Sequence, residues 1–312
     1  MASENESANG STRPSDNGSS TSWTPPRTTG MLSDAATLIN RGGLGSFTQS
    51  QNASTAISSS ASTLSAQELT NALNTWELQL QPGHSKSLSG IAIRSFILGL
   101  TLSSTLVLTL YLLSIGSPIW RAPFFITTLS LFHFLEFYTT ARVNTSSARI
   151  SSFLFSSNGS AYTIAHTTAL LETILLHTFF PSALLPSWIH YPILLIGLLF
   201  IILGQLIRAT AMLTAGTNFS HVVKHTKAQS HELVTTGIYS VFRHPSYFGF
   251  FWWGIGTQLV CGNIVSLAGY AWVLWKFFAS RIEGEEELLV GFFGEEYKEY
   301  RSRTRVGIPF IK

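Results

Sequence analysis

From about Gly90 to Phe278 the chain alternates long apolar blocks with short polar connections, whereas residues 1–88 show no sustained hydrophobic period. A helix needs about 20 apolar residues to cross the hydrocarbon core of a bilayer. Blocks 91–113, 123–140, 161–180 and 191–213 lie close to or above that length and predict spanning helices. Two shorter blocks, 247–262 and 264–278, flank the turn-forming pair Gly262-Asn263 and predict a tight helical hairpin, either spanning or re-entrant. The expected fold is therefore all-α: a polytopic integral membrane protein with about six transmembrane helices and a charged carboxy-terminal helical segment. The Ser-, Thr- and Asn-rich stretch 1–88 cannot bury enough apolar surface to offset its ordering entropy, so a mostly disordered tail is expected there. One short helix is expected within it, at 66–80, because Leu69, Leu73, Trp76 and Leu80 fall at helical spacing.

Charge placement orients these blocks. If the tail is cytosolic, the connections on its side hold Arg142, Arg149, Lys224, Lys227 and Arg243. The carboxy-terminal segment adds Arg281, Lys298, Arg301, Arg303, Arg305 and Lys312. The far-side connections hold Arg121, while 181–188 has neither Lys nor Arg. That asymmetry fits six crossings with both termini in the cytosol. The Asn-x-Ser/Thr triplets at Asn52, Asn144, Asn158 and Asn218 then lie on the cytosolic side and are expected to stay unglycosylated. A mobility shift on glycosidase treatment would overturn the orientation.

Composition agrees with a membrane class: 11% charged, 45% hydrophobic and 12% aromatic residues. The amino terminus lacks the basic-then-apolar pattern of a secretory signal, so insertion is expected to depend on the internal helices. The single cysteine, Cys261, excludes an intramolecular disulfide and a cysteine metal cluster, and in an apolar run it is expected to pack. The basic residues flank apolar spans and form no stripe, which excludes a nucleic-acid surface.

The densest polar chemistry lies at 221–244, with His221, Lys224, His225, Lys227, His231, Glu232, Tyr239, Arg243 and His244. Its histidines do not form His-Glu-x-x-His and no cysteine assists them, so no metal site is assigned. The run Leu233-Val234-Thr235-Thr236-Gly237-Ile238-Tyr239 is apolar and strand-like, with backbone groups suited to lining an adenine or ribose. Pro245 is placed to start a helix whose first-turn amides, at Ser246 and Tyr247, would be free to bind an anion. Arg281 and Glu285 share a helical face, as either an ordinary i,i+4 salt bridge or an arginine for a carboxylate beside an acidic group for a cation. Within the spans, His133, Glu136, His166 and Glu172 could pair across helices and are expected to be structural or substrate-cavity residues rather than catalytic ones, and Arg208, near the cytosolic end of its helix, can snorkel.

These residues then form a larger pattern. Asn218-Phe219-Ser220-His221-Val222-Val223, His231-x-Leu233-Val234-Thr235-x-Gly237-x-Tyr239, Phe242-Arg243-His244-Pro245-Ser246-Tyr247-x-Gly249, Arg281-x-Glu283-x-Glu285-Glu286, Phe292-Phe293-Gly294-Glu295-Glu296-Tyr297 and Gly307-Ile308-Pro309-Phe310-Ile311 occur in that order. The pattern closely resembles the isoprenylcysteine carboxyl methyltransferases, densely from about Asn218 to Ile311. The resemblance implies a membrane methyltransferase domain over 89–312, with its catalytic portion at about 214–312. It implies S-adenosylmethionine held by Lys224, His231, Glu232, Leu233, Val234, Tyr239, His244, Pro245, Ser246, Tyr247 and Glu285. Arg281 matches the position that holds the substrate carboxylate, and Arg281 with Glu285 would be catalytic. Lys224 stands where the family pattern carries Gln, and Gly284 interrupts a glutamate run while Glu285 keeps its register. The implied substrates are prenylated proteins processed at a CaaX end, small GTPases among them, and the implied location is the endoplasmic reticulum membrane with a cytosol-facing site.

Three other functions remain open on the residues alone. Membrane phospholipid N-methyltransferases share the Arg-His-Pro-x-Tyr and Glu-Glu elements. Sterol reductases share some carboxy-terminal similarity but need a nicotinamide cofactor. A scaffold or transporter fits the spans but gives the two polar clusters no role.

Overall fold

The computed structural model describes residues 66–155, 157–180, 186–223, 225–227 and 232–312, and everything structural below concerns those residues. Eight α-helices run in order: α1 Ala66–Leu80, α2 Leu88–Ser114, α3 Arg121–Val143, α4 Gly159–Phe179, α5 Ser187–Ala215, α6 Pro245–Cys261, α7 Val265–Phe293 and α8 Glu295–Arg303. Short 3-10 turns connect several of them, and one isolated bridge pairs Phe242 with Arg305. The strand-like run at 233–239 is therefore a correction: it is an unpaired extended segment ending in a 3-10 turn at Gly237–Ser240.

On length and apolarity alone, two helices qualify as membrane spans, Leu88–Ser114 and Trp188–Asn218. The others are shorter or diluted by polar groups; α3, for example, carries Arg121, His133, Glu136 and Arg142. The expected short helix at 66–80 is α1. The chain is already held before residue 88, because the Ser85 carbonyl accepts the Ile150 amide at 2.8 Å. Ser87 then caps α2, its hydroxyl accepting from the Gly90 amide at 3.1 Å.

Helices α5 and α6 form the most intimate pair, and glycine makes it possible. Gly197 and Gly204 on α5 meet Gly256 and Gly249 on α6, each pair spaced seven residues apart and so on one helical face. A Cβ built on Gly204 would lie 2.6 Å from the Gly249 carbonyl oxygen, and one on Gly256 2.7 Å from that of Gly197. Small residues at such positions let backbones approach where lipid offers no hydrophobic drive to associate.

The α6–α7 hairpin turns at Gly262, which adopts φ +72° as the left-handed cap of α6. Glu172 of α4 then caps α7, its carboxylate accepting the Ile264, Val265 and Ser266 amides at 2.7, 2.9 and 2.7 Å. Helix α7 does not stop near Phe278 but runs unbroken through the charged stretch to Phe293.

The intramembrane polar residues are placed differently from expectation. His133, Glu136, His166 and Glu172 do not pair with one another. His133 lies between the Phe153 carbonyl and the Tyr162 hydroxyl, and His166 binds the Tyr162 carbonyl. Glu136, only 1% exposed, takes both Nε and Nη2 of Arg208. Arg208 therefore does not snorkel: it is buried, and its Nη1 donates to the Ser246 carbonyl and hydroxyl at 3.1 and 2.9 Å. A bidentate partner satisfies the guanidinium better than a long reach to water.

Candidate active site

Three elements build the site: the end of α5 with the segment after it, the start of α6, and the charged half of α7. Pro245 occupies the first position of α6, where its missing amide costs nothing. Of the two first-turn amides, that of Tyr247 donates to the His244 carbonyl at 3.1 Å, whereas that of Ser246 meets no acceptor among the described residues.

Glu286 ties the preceding residues to α7. One oxygen accepts from Arg243 Nε and lies 3.2 Å from His244 Nε2, and the other takes Arg301 Nε of α8 at 3.1 Å. Arg243 also donates to the Thr304 carbonyl at 3.0 Å, and its amide donates to the Arg305 carbonyl at 2.9 Å. Gly307 completes this clasp: a Cβ there would lie 2.5 Å from the Phe248 ring and 2.7 Å from that of Phe242, with φ at +78°. The Glu286 cluster therefore fixes the Arg243-His244 turn and leaves Tyr247 to face the chemistry.

Tyr247 is the junction. Its hydroxyl donates to Glu285 Oε2 at 2.6 Å and accepts from Arg281 Nε at 2.9 Å. Arg281 and Glu285, one turn apart on α7, therefore communicate through a tyrosine rather than through a direct i,i+4 salt bridge. Arg281 Nη2 donates to the His221 carbonyl at 2.6 Å, and Nη1 meets no protein acceptor among the described residues. The guanidinium also lies over the rings of Tyr247 and Phe277, at 5.5 and 5.8 Å.

Two cavities meet at this point. The first is polar-rimmed and lined by Leu233, Val234, Tyr239, His244, Tyr247 and Glu285, with Phe292 and Phe293 among its other walls. Glu232, Pro245 and Ser246 also line it. The second, of about 610 Å³, is lined mainly by apolar side chains of α4, α6 and α7 and ends at Arg281. Phe219, Ser220, Ser246 and Tyr247 line both. Of the anticipated site residues, Lys224 and His231 lie outside the described residues. Glu232 contributes its amide, which donates to Asn218 Oδ1 at 3.2 Å.

The electrostatics follow from burial. Burial holds His221 well below its ordinary value, at about 4, opposed by Glu136 and reinforced by Arg208 and Arg281. Its ring is therefore neutral at physiological pH although Glu136 Oε2 lies 3.7 Å away. Burial likewise raises the Tyr239 phenol, whose carbonyl accepts the Tyr300 hydroxyl at 2.7 Å. Sequence reasoning missed Tyr300, Thr304 and the pairing of Glu286; only the dense charge at 281–287 hinted at the last.

A helical membrane fold in which a polar chamber opens onto an apolar cavity suits a membrane-embedded transferase acting where lipid meets water. Residues 195–291 match the model of the isoprenylcysteine carboxyl methyltransferase family. The chain is 50% identical over 189 residues to protein-S-isoprenylcysteine O-methyltransferase of Saccharomyces cerevisiae, covering 60% of this chain and 79% of the relative. It is 41% identical over 223 residues to the human protein of that name, covering 71% and 75%. Among solved structures, a eukaryotic intramembrane Ras methyltransferase superimposes with a TM-score of 0.65 at 38% identity, over 78% of this chain and 82% of that one. The chain belongs to the isoprenylcysteine carboxyl methyltransferase family, and it is a methyltransferase of the membrane.

Proposed function

We propose that this protein transfers a methyl group from S-adenosylmethionine to the carboxy-terminal α-carboxylate of a prenylated cysteine, forming a methyl ester. The observation that carries the proposal is the meeting of the two cavities at Tyr247, with Glu285 on one side and Arg281 on the other. Relatives named protein-S-isoprenylcysteine O-methyltransferase support it. Proteins cleaved at a CaaX end, such as small GTPases, would be the macromolecular substrates.

The residues of the polar chamber fit the donor. Leu233, Val234 and the Tyr239 ring offer apolar surface to an adenine, and Glu285 offers a carboxylate to a sulfonium or ammonium. Lys224, His231, His244, Pro245 and Ser246 would complete its surroundings. S-adenosylmethionine supplies an activated methyl on sulfur. Arg281 would orient the substrate carboxylate through its uncommitted Nη1 edge, and the apolar cavity would take the prenyl chain from the bilayer. That carboxylate is already ionised at neutral pH, so no general base is required. Tyr247 would hold Arg281 and Glu285 in register, so that one carboxylate oxygen lies behind the methyl for in-line displacement. Orientation and exclusion of water then provide the acceleration.

Six crossings, a cytosol-facing site, an endoplasmic reticulum location and a catalytic portion at 214–312 belong to the same proposal. A phospholipid N-methyltransferase would present a neutral amine to Arg281, leaving its half-buried guanidinium without a counter-charge. The test uses purified full-length protein, labelled S-adenosylmethionine and N-acetyl-farnesylcysteine. The proposal expects label that mild base releases as methanol; label found only on a lipid amine would refute it.

A further inference from the structure

We propose that the groove between α8 and the carboxy-terminal strap binds the headgroup of an anionic phospholipid. The groove, of about 650 Å³, is lined by Lys298, Arg301, Arg305 and Lys312 together with Ile311. Two of these cations are already engaged, Lys298 with Glu295 at 2.7 Å and Arg301 with Glu286 at 3.1 Å. Arg305 and Lys312 are exposed, and neither pairs with a carboxylate among the described residues. Two free cations beside one opening suit a phosphodiester rather than a neutral ligand.

Depth selects a lipid over a soluble acidic peptide. The strap is tied to the helical bundle by two indoles: Trp252 of α6 donates to the Gly307 carbonyl at 3.3 Å, and Trp275 of α7 to that of Pro309 at 2.9 Å. Tryptophans gather where headgroups meet hydrocarbon, because the ring is apolar and the N–H needs a partner. The same strap carries Phe310, 93% exposed at φ +63°. A bare phenyl ring on the same strap as Arg305 and Lys312 is poorly suited to water and well suited to lie among acyl chains while the cations take a phosphate. Arg301 also touches Glu286, which holds Arg243 and His244, so an occupied groove would adjoin the wall of the donor chamber.

The inference rests on the strap and not on the reaction, so it is tested by binding. Detergent-solubilised full-length protein is titrated with dioleoylphosphatidylserine or dioleoylphosphatidylcholine, and retained lipid is counted by native mass spectrometry. The serine lipid should be held roughly tenfold or more tightly than the choline lipid. The double variant Arg305→Gln/Lys312→Gln should lose roughly fivefold per charge removed, with binding of S-adenosylhomocysteine unchanged. If the double variant does not fold, each single variant should still lose roughly fivefold. Equal retention of the two lipids, an undiminished preference in the variants, or complete displacement by soluble glycerophosphoserine or a polyglutamate peptide would overturn the proposal.

Discussion

Neighbouring residues at the start of α6 each receive an arginine, and the two arginines are used in opposite ways. Arg208 reaches Ser246 with all three nitrogens engaged, Nε and Nη2 by the Glu136 carboxylate and Nη1 by the serine carbonyl and hydroxyl. Arg281 reaches Tyr247 with one donor, spends another on a backbone carbonyl, and faces the apolar cavity with an edge to spare. Both sites combine arginine with glutamate and both arginines line the apolar cavity, yet only Arg281 keeps a guanidinium nitrogen without a protein acceptor among the described residues. The saturated pair serves as scaffold, because removing either partner strands a charge inside the protein. The unsaturated one suits recognition, since the guanidinium still lacks a counter-charge that a substrate carboxylate would supply.

The contrast can be broken most severely at Glu136. Glu136→Ala leaves Arg208 buried without its carboxylate and should destabilise the fold by about 3–5 kcal/mol, read as a fall in Tm of the detergent-solubilised protein. If that variant melts like the wild type, the pair is not a scaffold. Tyr247→Phe addresses the other arginine more gently, deleting the hydroxyl shared by Arg281 and Glu285. Loss of that link should lower kcat by about 5–100-fold, with KM for S-adenosylmethionine changing little. A pure KM effect would make Tyr247 a wall of the chamber rather than a positioning residue.

His221 should produce the smallest effect. Its folded-state value near 4 lies below the unfolded value of about 6.5, so between these limits the unfolded chain binds more protons. The stability it contributes is complete above pH of about 6.5 and is lost as pH falls toward 4. In His221→Gln the slope of Tm over that interval should flatten; an unchanged slope would place the titration elsewhere.

Local features were legible in the sequence, and long-range pairings were not. The blocks at 123–140 and 161–180 became Arg121–Val143 and Gly159–Phe179, because apolar length sets helix position within a turn. Pro245 opens α6 as its fixed φ requires. The far end of α7 was legible too: the charged run after Phe278 continues the last helix, which keeps its hydrogen bonds while its side chains turn polar. The glycine contacts between α5 and α6 require both spacings to be read against each other. Glu286 sits within a run of acids, and nothing in that run says that it alone gathers Arg243, His244 and Arg301. Spacing left Arg281 and Glu285 as either a salt bridge or a recognition pair, and it could not show that a tyrosine 34 residues from the arginine in sequence joins them. The short motifs nevertheless identified the family, because each places a charged or small residue where the site geometry needs it.

The most direct measurement compares Arg281→Ala with the wild type in two assays on the same preparation, methyl transfer to N-acetyl-farnesylcysteine and binding of S-adenosylhomocysteine. Truncating a half-buried arginine that holds a carboxylate should reduce kcat/KM by on the order of 100–1,000-fold, while the dissociation constant of S-adenosylhomocysteine stays within about threefold. Near-normal methyl transfer by the variant, or loss of S-adenosylhomocysteine binding in step with activity, would contradict the assignment of Arg281 to the substrate's carboxylate.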